Sequence, residues 1–196
     1  MPPASAPRIL AFAGSARRES FNRKLLRVAV AGAERAGAAC TVVDLREYPL
    51  PLYDADLEAE AGLPESAALL RELLRSHRGL LIASPEYNSS IPPLLKNTID
   101  WASRSPEATQ DLSGFRGKLV ALMAASPGPL GGLRGLAHLR VLLGNIGCTV
   151  LADQLTLRQA AEAFAPDGSL VRAAHRERAE ALGATLADWV SKLAPA

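Results

Sequence analysis

The sequence predicts an α/β fold in three layers, a five-stranded parallel sheet with helices on both faces. Three observations carry that reading. Short unbroken apolar runs alternate with longer stretches of helical spacing, the rhythm of successive βαβ units. The apolar mass, 48% of 196 residues, is Ala, Leu and Val, with only four Phe, two Trp and three Tyr, which suits helices on a buried sheet better than many aromatic-rich strands. The length fits one core, so the expected organisation is a flexible leader over 1–7 and a single domain over 8–196.

The first strand is Ile9 to Ala13, closed by Gly14-Ser15. Leu25, Leu26, Val28, Ala29, Ala33 and Ala36 keep helical spacing behind Ser20 as N-cap, and Gly37 marks the exit. Cys40 to Leu45 is the second strand. Tyr48 to Leu63, with two prolines and few apolar repeats, reads as a long connecting loop. Leu69, Leu70, Leu73 and Leu74 mark a second helix ending near Gly79, and Leu80 to Ser84 is the third strand. A third helix starts after Pro92-Pro93, because proline is tolerated in a first turn. Lys118 to Ala125 is the fourth strand, Leu133 to Leu143 the fourth helix, and Cys148 to Ala152 the fifth strand, continuing to Leu157 after a bend. Asp167-Gly168 is a turn, and Leu170 to Leu193 a closing helix. Right-handed crossovers then put helices on both faces.

Composition excludes several roles. Twenty-two Lys and Arg against 20 Asp and Glu leave a formal charge of +2, with no basic stripe or module for nucleic acid. No apolar run reaches the roughly 20 residues of a membrane span, and the first eight residues lack the pattern of an export signal. Cys40 and Cys148 stand far apart in apolar stretches, as buried reduced thiols of a cytoplasmic protein do. His77 and His175 read as solvated helix residues, and His138 as a helix residue without a ligand partner.

Ligands of open α/β sheets sit beyond the carboxyl ends of the strands, near the switch in strand order. Three segments fall there. Gly14 to Asn22 joins a strand end to a helix start, where free N–H groups and the helix dipole converge with donors from Ser15, Arg17, Ser20 and Asn22, a nest for a phosphate. It carries neither a dinucleotide fingerprint nor a Walker loop, and it also suits a solvated turn with Ser20 as a plain cap. Pro85 to Pro92 is polar and turn-rich; it can present backbone groups to a planar heterocycle with Tyr87 at its edge, or form a hairpin-like loop held by Asn88. Ser126 to Gly132 carries Gly128, Gly131 and Gly132, suited to close approach of backbone to a ligand or simply to starting a helix.

Together these motifs resemble a known family. Gly14-Ser15-x-Arg17-x-x-Ser20-x-Asn22, then Ser84-Pro85-Glu86-Tyr87-Asn88-x-Ser90-Ile91-Pro92 running into Leu94-Leu95-Lys96-Asn97-x-Ile99-Asp100-Trp101, then Ala125-Ser126-Pro127-Gly128 and Gly131-Gly132-x-Arg134, are similar to the NAD(P)H-dependent FMN reductases. Leu50-Pro51-Leu52-Tyr53-Asp54-x-Asp56 fits the same pattern, so the resemblance runs from about Arg8 to Leu157. That family includes quinone, chromate and azo-dye reductases on a flavodoxin-like fold, which implies strand order 2-1-3-4-5.

The resemblance implies that Ser15, Arg17, Ser20 and Asn22 hold the FMN phosphate, with Phe21 beside them. Pro85, Glu86, Tyr87 and Asn88 would flank the isoalloxazine, mostly through backbone, and Ser126 and Gly128 its other side. Pro129 departs from the pattern, standing where the family often has a residue with a free N–H. The implied reaction passes hydride from NADPH or NADH through FMN to a small-molecule electron acceptor, a quinone, azo compound or oxidised metal ion such as chromate, with ping-pong kinetics and no catalytic side chain. A homodimer or homotetramer is implied, with Tyr48 to Leu63 and Ser103 to Phe115 as candidate contacts. The alternatives are a flavodoxin-type electron carrier, for which a slightly basic chain is a poor match, and an FMN-dependent sensor.

Overall fold

The computed structural model describes residues 6–193. Its elements are β1 (Arg8–Ala13), α1 (Phe21–Arg35), β2 (Ala39–Val43), α2 (Ala55–Ala61), α3 (Glu65–Ser76), β3 (Gly79–Ala83), α4 (Pro93–Ala102), β4 (Leu119–Ala125), α5 (Leu133–Asn145), β5 (Thr149–Leu157), α6 (Ala160–Ala163) and α7 (Ala173–Lys192). All neighbouring strands pair parallel in the order β2-β1-β3-β4-β5, as the sequence implied. Of the expected leader, residues 1–5 lie outside the described residues; the Pro7 carbonyl accepts a bond from the Ala39 N–H at 2.9 Å.

Side chains alternate across the strands, so each strand serves two cores. Ile9, Ala11, Leu81, Ala121 and Met123 face α1 and α7. Leu10, Phe12, Leu80, Ile82, Val120 and Leu122 face the helices α3, α4 and α5. The central strands are wholly buried, which explains their continuous apolar runs. The register sets Ala13 beside Ala83 and Ala83 beside Met123, so β1, β3 and β4 reach the carboxyl edge together.

Several expectations are corrected. The long loop contains α2, capped by the Asp54 carboxylate on the N–H groups of Asp56 and Leu57. Its Glu58 is buried and accepts from Arg104 Nε at 2.8 Å and Tyr53 Oη at 3.1 Å. The closing helix starts at Ala173, because Leu170 bridges to Phe164 first, and the short α6 precedes it. The bend in β5 is a register shift opposite Val120 to Leu122, where Arg140 donates to the carbonyls of Val150, Leu151 and Ala152. Cys40 is half-buried, since its strand lies at the sheet edge, while Cys148 is buried. Burial pushes the Cys148 thiol up to about 12 and that of Cys40 to about 11.

The histidines also differ from expectation. His77 is buried between Thr41 Oγ1 (2.7 Å) and the Leu73 carbonyl (2.6 Å). His175 is half-buried, with its Nδ1 unpartnered. His138 is exposed, its Nδ1 lying 3.1 Å from Ser90 Oγ.

Candidate functional site

The three loops beyond β1, β3 and β4 enclose one cavity at the sheet's carboxyl edge. It is lined by Ser15, Arg17, Ser20, Phe21, Asn22, Pro85, Glu86, Tyr87, Ala125, Ser126 and Pro127. Asn88 and Gly128, also expected there, do not line it. The cavity sits where β1 has neighbours on both sides and the strand order reverses, the place general rules for open sheets assign to ligands.

The first loop is built by its caps. Ser20 is extended and its hydroxyl oxygen accepts from the Arg23 N–H at 3.3 Å, starting α1 at Phe21. Among the described residues no acceptor faces the N–H groups of Phe21 and Asn22, so the helix presents them outward at its positive end. Ser15 Oγ accepts from the Arg17 N–H at 3.4 Å. Both hydroxyls act there as acceptors, and each keeps its own hydrogen to donate. Arg17 donates once to the Glu19 carbonyl at 2.9 Å, and its guanidinium lies 5.2 Å from the Phe21 ring centre. Phe21 in turn stacks on Phe164 at 5.8 Å. Phe164 escaped the sequence reading because nothing in its local pattern ties it to a residue so far away.

Asn22 is placed differently from a simple phosphate donor. Its Nδ2 donates to the Ala125 carbonyl and its Oδ1 accepts from the Ala125 N–H, both at 2.9 Å. One amide hydrogen remains. The main work of this side chain is to pin α1 to the end of β4.

The second loop turns back on itself. Tyr87 and Ser90 exchange two backbone bonds of 3.0 Å, with Asn88 at φ 50° and Ser89 at φ 68° between them. Two left-handed residues are what a tight hairpin turn requires, and without glycine each is strained. The hairpin-like alternative is therefore the observed conformation, and it leaves Tyr87 at the cavity wall, about half exposed. The Glu86 carboxylate is engaged by Arg134 and by the Gly135 N–H. Burial alone would raise its pKa; the Gly135 bond and the Arg134 guanidinium outweigh that and hold it below the usual carboxylate value.

In the third loop, the glycines divide by role. Gly132 has φ 93°, and a Cβ there would lie 2.5 Å from Ala124 Cβ, so it serves the close seating of α5 on β4. A Cβ on Gly128 would meet only Ser126 Oγ at 3.7 Å. Gly128 stands in open space.

The profile of a family described as NADPH-dependent FMN reductase matches residues 7–162. The chain belongs to that family. A quinone reductase of Escherichia coli K12 is 40% identical over 147 residues, 73% of this chain and 72% of its own length. An NAD(P)H-dependent FMN reductase of Pseudomonas aeruginosa is 35% identical over 187 residues, 95% of this chain and 96% of its own. The solved flavoenzyme FerB, an NAD(P)H:(acceptor) oxidoreductase from Paracoccus denitrificans, superposes with a TM-score of 0.79 at 30% identity, covering 95% of this chain and 98% of its own. An archaeal flavodoxin, at 12% identity and a TM-score of 0.62, shares the fold.

The residues of this FMN reductase family member fit its cofactor. Spare hydroxyl hydrogens of Ser15 and Ser20, the open N–H groups of α1 and the Arg17 cation form one end of the cavity and suit a phosphate. Pro85, Tyr87 and Pro127 give the other end a wall with few charges, as a planar ring requires.

Proposed function

We propose that this chain transfers reducing equivalents from NADPH or NADH to quinones, and to azo compounds or oxidised metal ions such as chromate, by a ping-pong route. FMN held in the cavity would supply the hydride and electron chemistry. The observation that carries the reading is the convergence of three separate family motifs on one cavity at the switch point. The protein's part is to bind and orient. Ser15, Ser20 and Arg17 hold the phosphate end, and Asn22 fixes the helix that presents them. None of the three histidines lines the cavity and the Glu86 carboxylate is turned to α5; the reading assigns no acid, base or nucleophile to the chain. Donor and acceptor then use the same open side in turn, which is the basis for ping-pong kinetics.

An anaerobic titration tests this. Purified, FMN-loaded protein is expected to bleach with NADPH or NADH and to regain colour faster with a quinone than with oxygen. Protein that stays yellow with both nucleotides is no reductase, and recovery by none of the named acceptors removes that substrate class. The homodimer or homotetramer is supported by exposed apolar side chains on α5, Leu133 at 44% and Val141 at 64%; light scattering that shows only monomer removes it.

A further inference from the structure

The second and third loops of the site meet through one side chain. Glu86 Oε1 accepts from Arg134 Nε at 2.9 Å and Nη2 at 2.6 Å, and its Oε2 accepts from the Gly135 N–H at 2.9 Å. All three donors belong to the first turn of α5. That helix starts on Gly132, which has no side chain to cap it. The cap therefore comes from another loop, and the carboxylate meets both the orphan N–H and the positive end of the dipole.

The fit around this contact is close. A Cβ on Gly135 would lie 3.2 Å from the Ser90 carbonyl oxygen and 3.3 Å from Glu86 Cβ, so the loop after β3 rests on α5. The far end of the Tyr87–Ser90 hairpin is fastened to the same helix by His138 Nδ1, 3.1 Å from Ser90 Oγ. Both ends of a hairpin with two left-handed residues are thus tied to one rigid element. The Glu86 side chain is 8% exposed and Arg134 is 56% exposed, so removing the arginine leaves a buried carboxylate without its cation.

We propose that Glu86 is a positioning residue: with Arg134 and Gly135 it clamps the Tyr87 hairpin to α5 and so sets the wall against which the nicotinamide or the acceptor docks. It acts through the hairpin and not by touching the cofactor. Family resemblance places Glu86 among residues flanking the flavin through backbone; the clamp gives its carboxylate a separate task, specificity for what enters the open side. This rests on the reductase reading above.

Two variants and a conservative rescue test it. Glu86→Gln keeps an oxygen for the Gly135 N–H and loses the ion pair, while Arg134→Gln loses it from the other side. Hydrogen exchange of the Tyr87–Ser90 amides, measured without FMN and again with it, is expected to quicken about tenfold in both variants. The double variant should exchange no faster than either single one, since they break one interaction. In steady state, KM for nicotinamide and quinone should rise by more than kcat falls, and Arg134→Lys should recover part of the loss as a point charge without the fork. Unchanged exchange in both single variants overturns the proposal. So does loss of FMN binding in Glu86→Gln while Arg134→Gln keeps it, which would make Glu86 a direct ligand. The exchange result does not depend on turnover, so failure of the clamp and failure of the reductase reading are told apart.

Discussion

Asn22 spends both ends of its amide on the backbone of Ala125, a residue 103 positions away. Asn22→Ala leaves a buried N–H and a buried carbonyl unpaired, each costing about 1–3 kcal/mol, and so should lower the urea midpoint of unfolding clearly; an unchanged midpoint would deny these two bonds any stabilising part. Arg17 lies in the open and keeps donors free. Arg17→Ala is expected to weaken FMN binding by about tenfold, the low end for a charge-assisted bond, as read by quenching of flavin fluorescence, with the urea midpoint unmoved. Retention equal to the parent would take Arg17 out of the phosphate end. Both residues stood out in the sequence because polar side chains at a strand-to-helix turn have a local reason to be there. Asn22's partner did not, because it is a main-chain position and leaves no mark in the side-chain pattern. The same holds for Glu86 and the Gly135 N–H.

Helices α1 and α7 cross at two glycines. A Cβ on Gly32 would lie 2.1 Å from the Glu180 carbonyl oxygen, and one on Gly183 would lie 1.9 Å from that of Ala29. Backbone meets backbone there, so neither neighbour can step aside. Gly183→Ala should cost at least the 1–3 kcal/mol of about one overpacked methyl group despite alanine's better helix propensity; a melting temperature equal to or above the parent's would refute the close crossing. In the sequence, α1 was legible from its cap, its spacing and Gly37, and the central strands from their apolar runs. Helix α2 was not, since seven residues, barely two turns, are too short to show a helical period. Its anchor is the buried Glu58 paired with the half-buried Arg104, across 46 positions. The start of α7 was missed because Leu170 is apolar for the sake of the core and not for the helix.

Across the molecule, the candidate site and the buried His77 lie at opposite edges of the sheet. His77, just before β3, is 1% exposed at the amino edge. Next to the Leu73 carbonyl its Nδ1 must carry the hydrogen, so Nε2 accepts from the Thr41 hydroxyl. Burial, with the charges of Arg8 and Lys118 behind it, outweighs the Leu73 bond and lowers the pKa below its ordinary 6.5. The unfolded chain therefore binds a proton near pH 6.5 that the folded one refuses, and stability falls as pH drops from there toward the lower folded value. The urea midpoint should decline between pH 7 and 5, and less steeply in His77→Gln; some slope remains, because burial also lowers His175. An identical slope in the variant would show that His77 stays neutral to no effect. The crossing of α1 and α7 has one more consequence, for biosynthesis. Helix α1 is made long before α7, so the part of its surface that α7 covers stays bare until Ala173–Lys192 has been released. A nascent chain can seat α1 on β1, β3 and β4 early, yet that helix is covered on its second side only when α7 arrives.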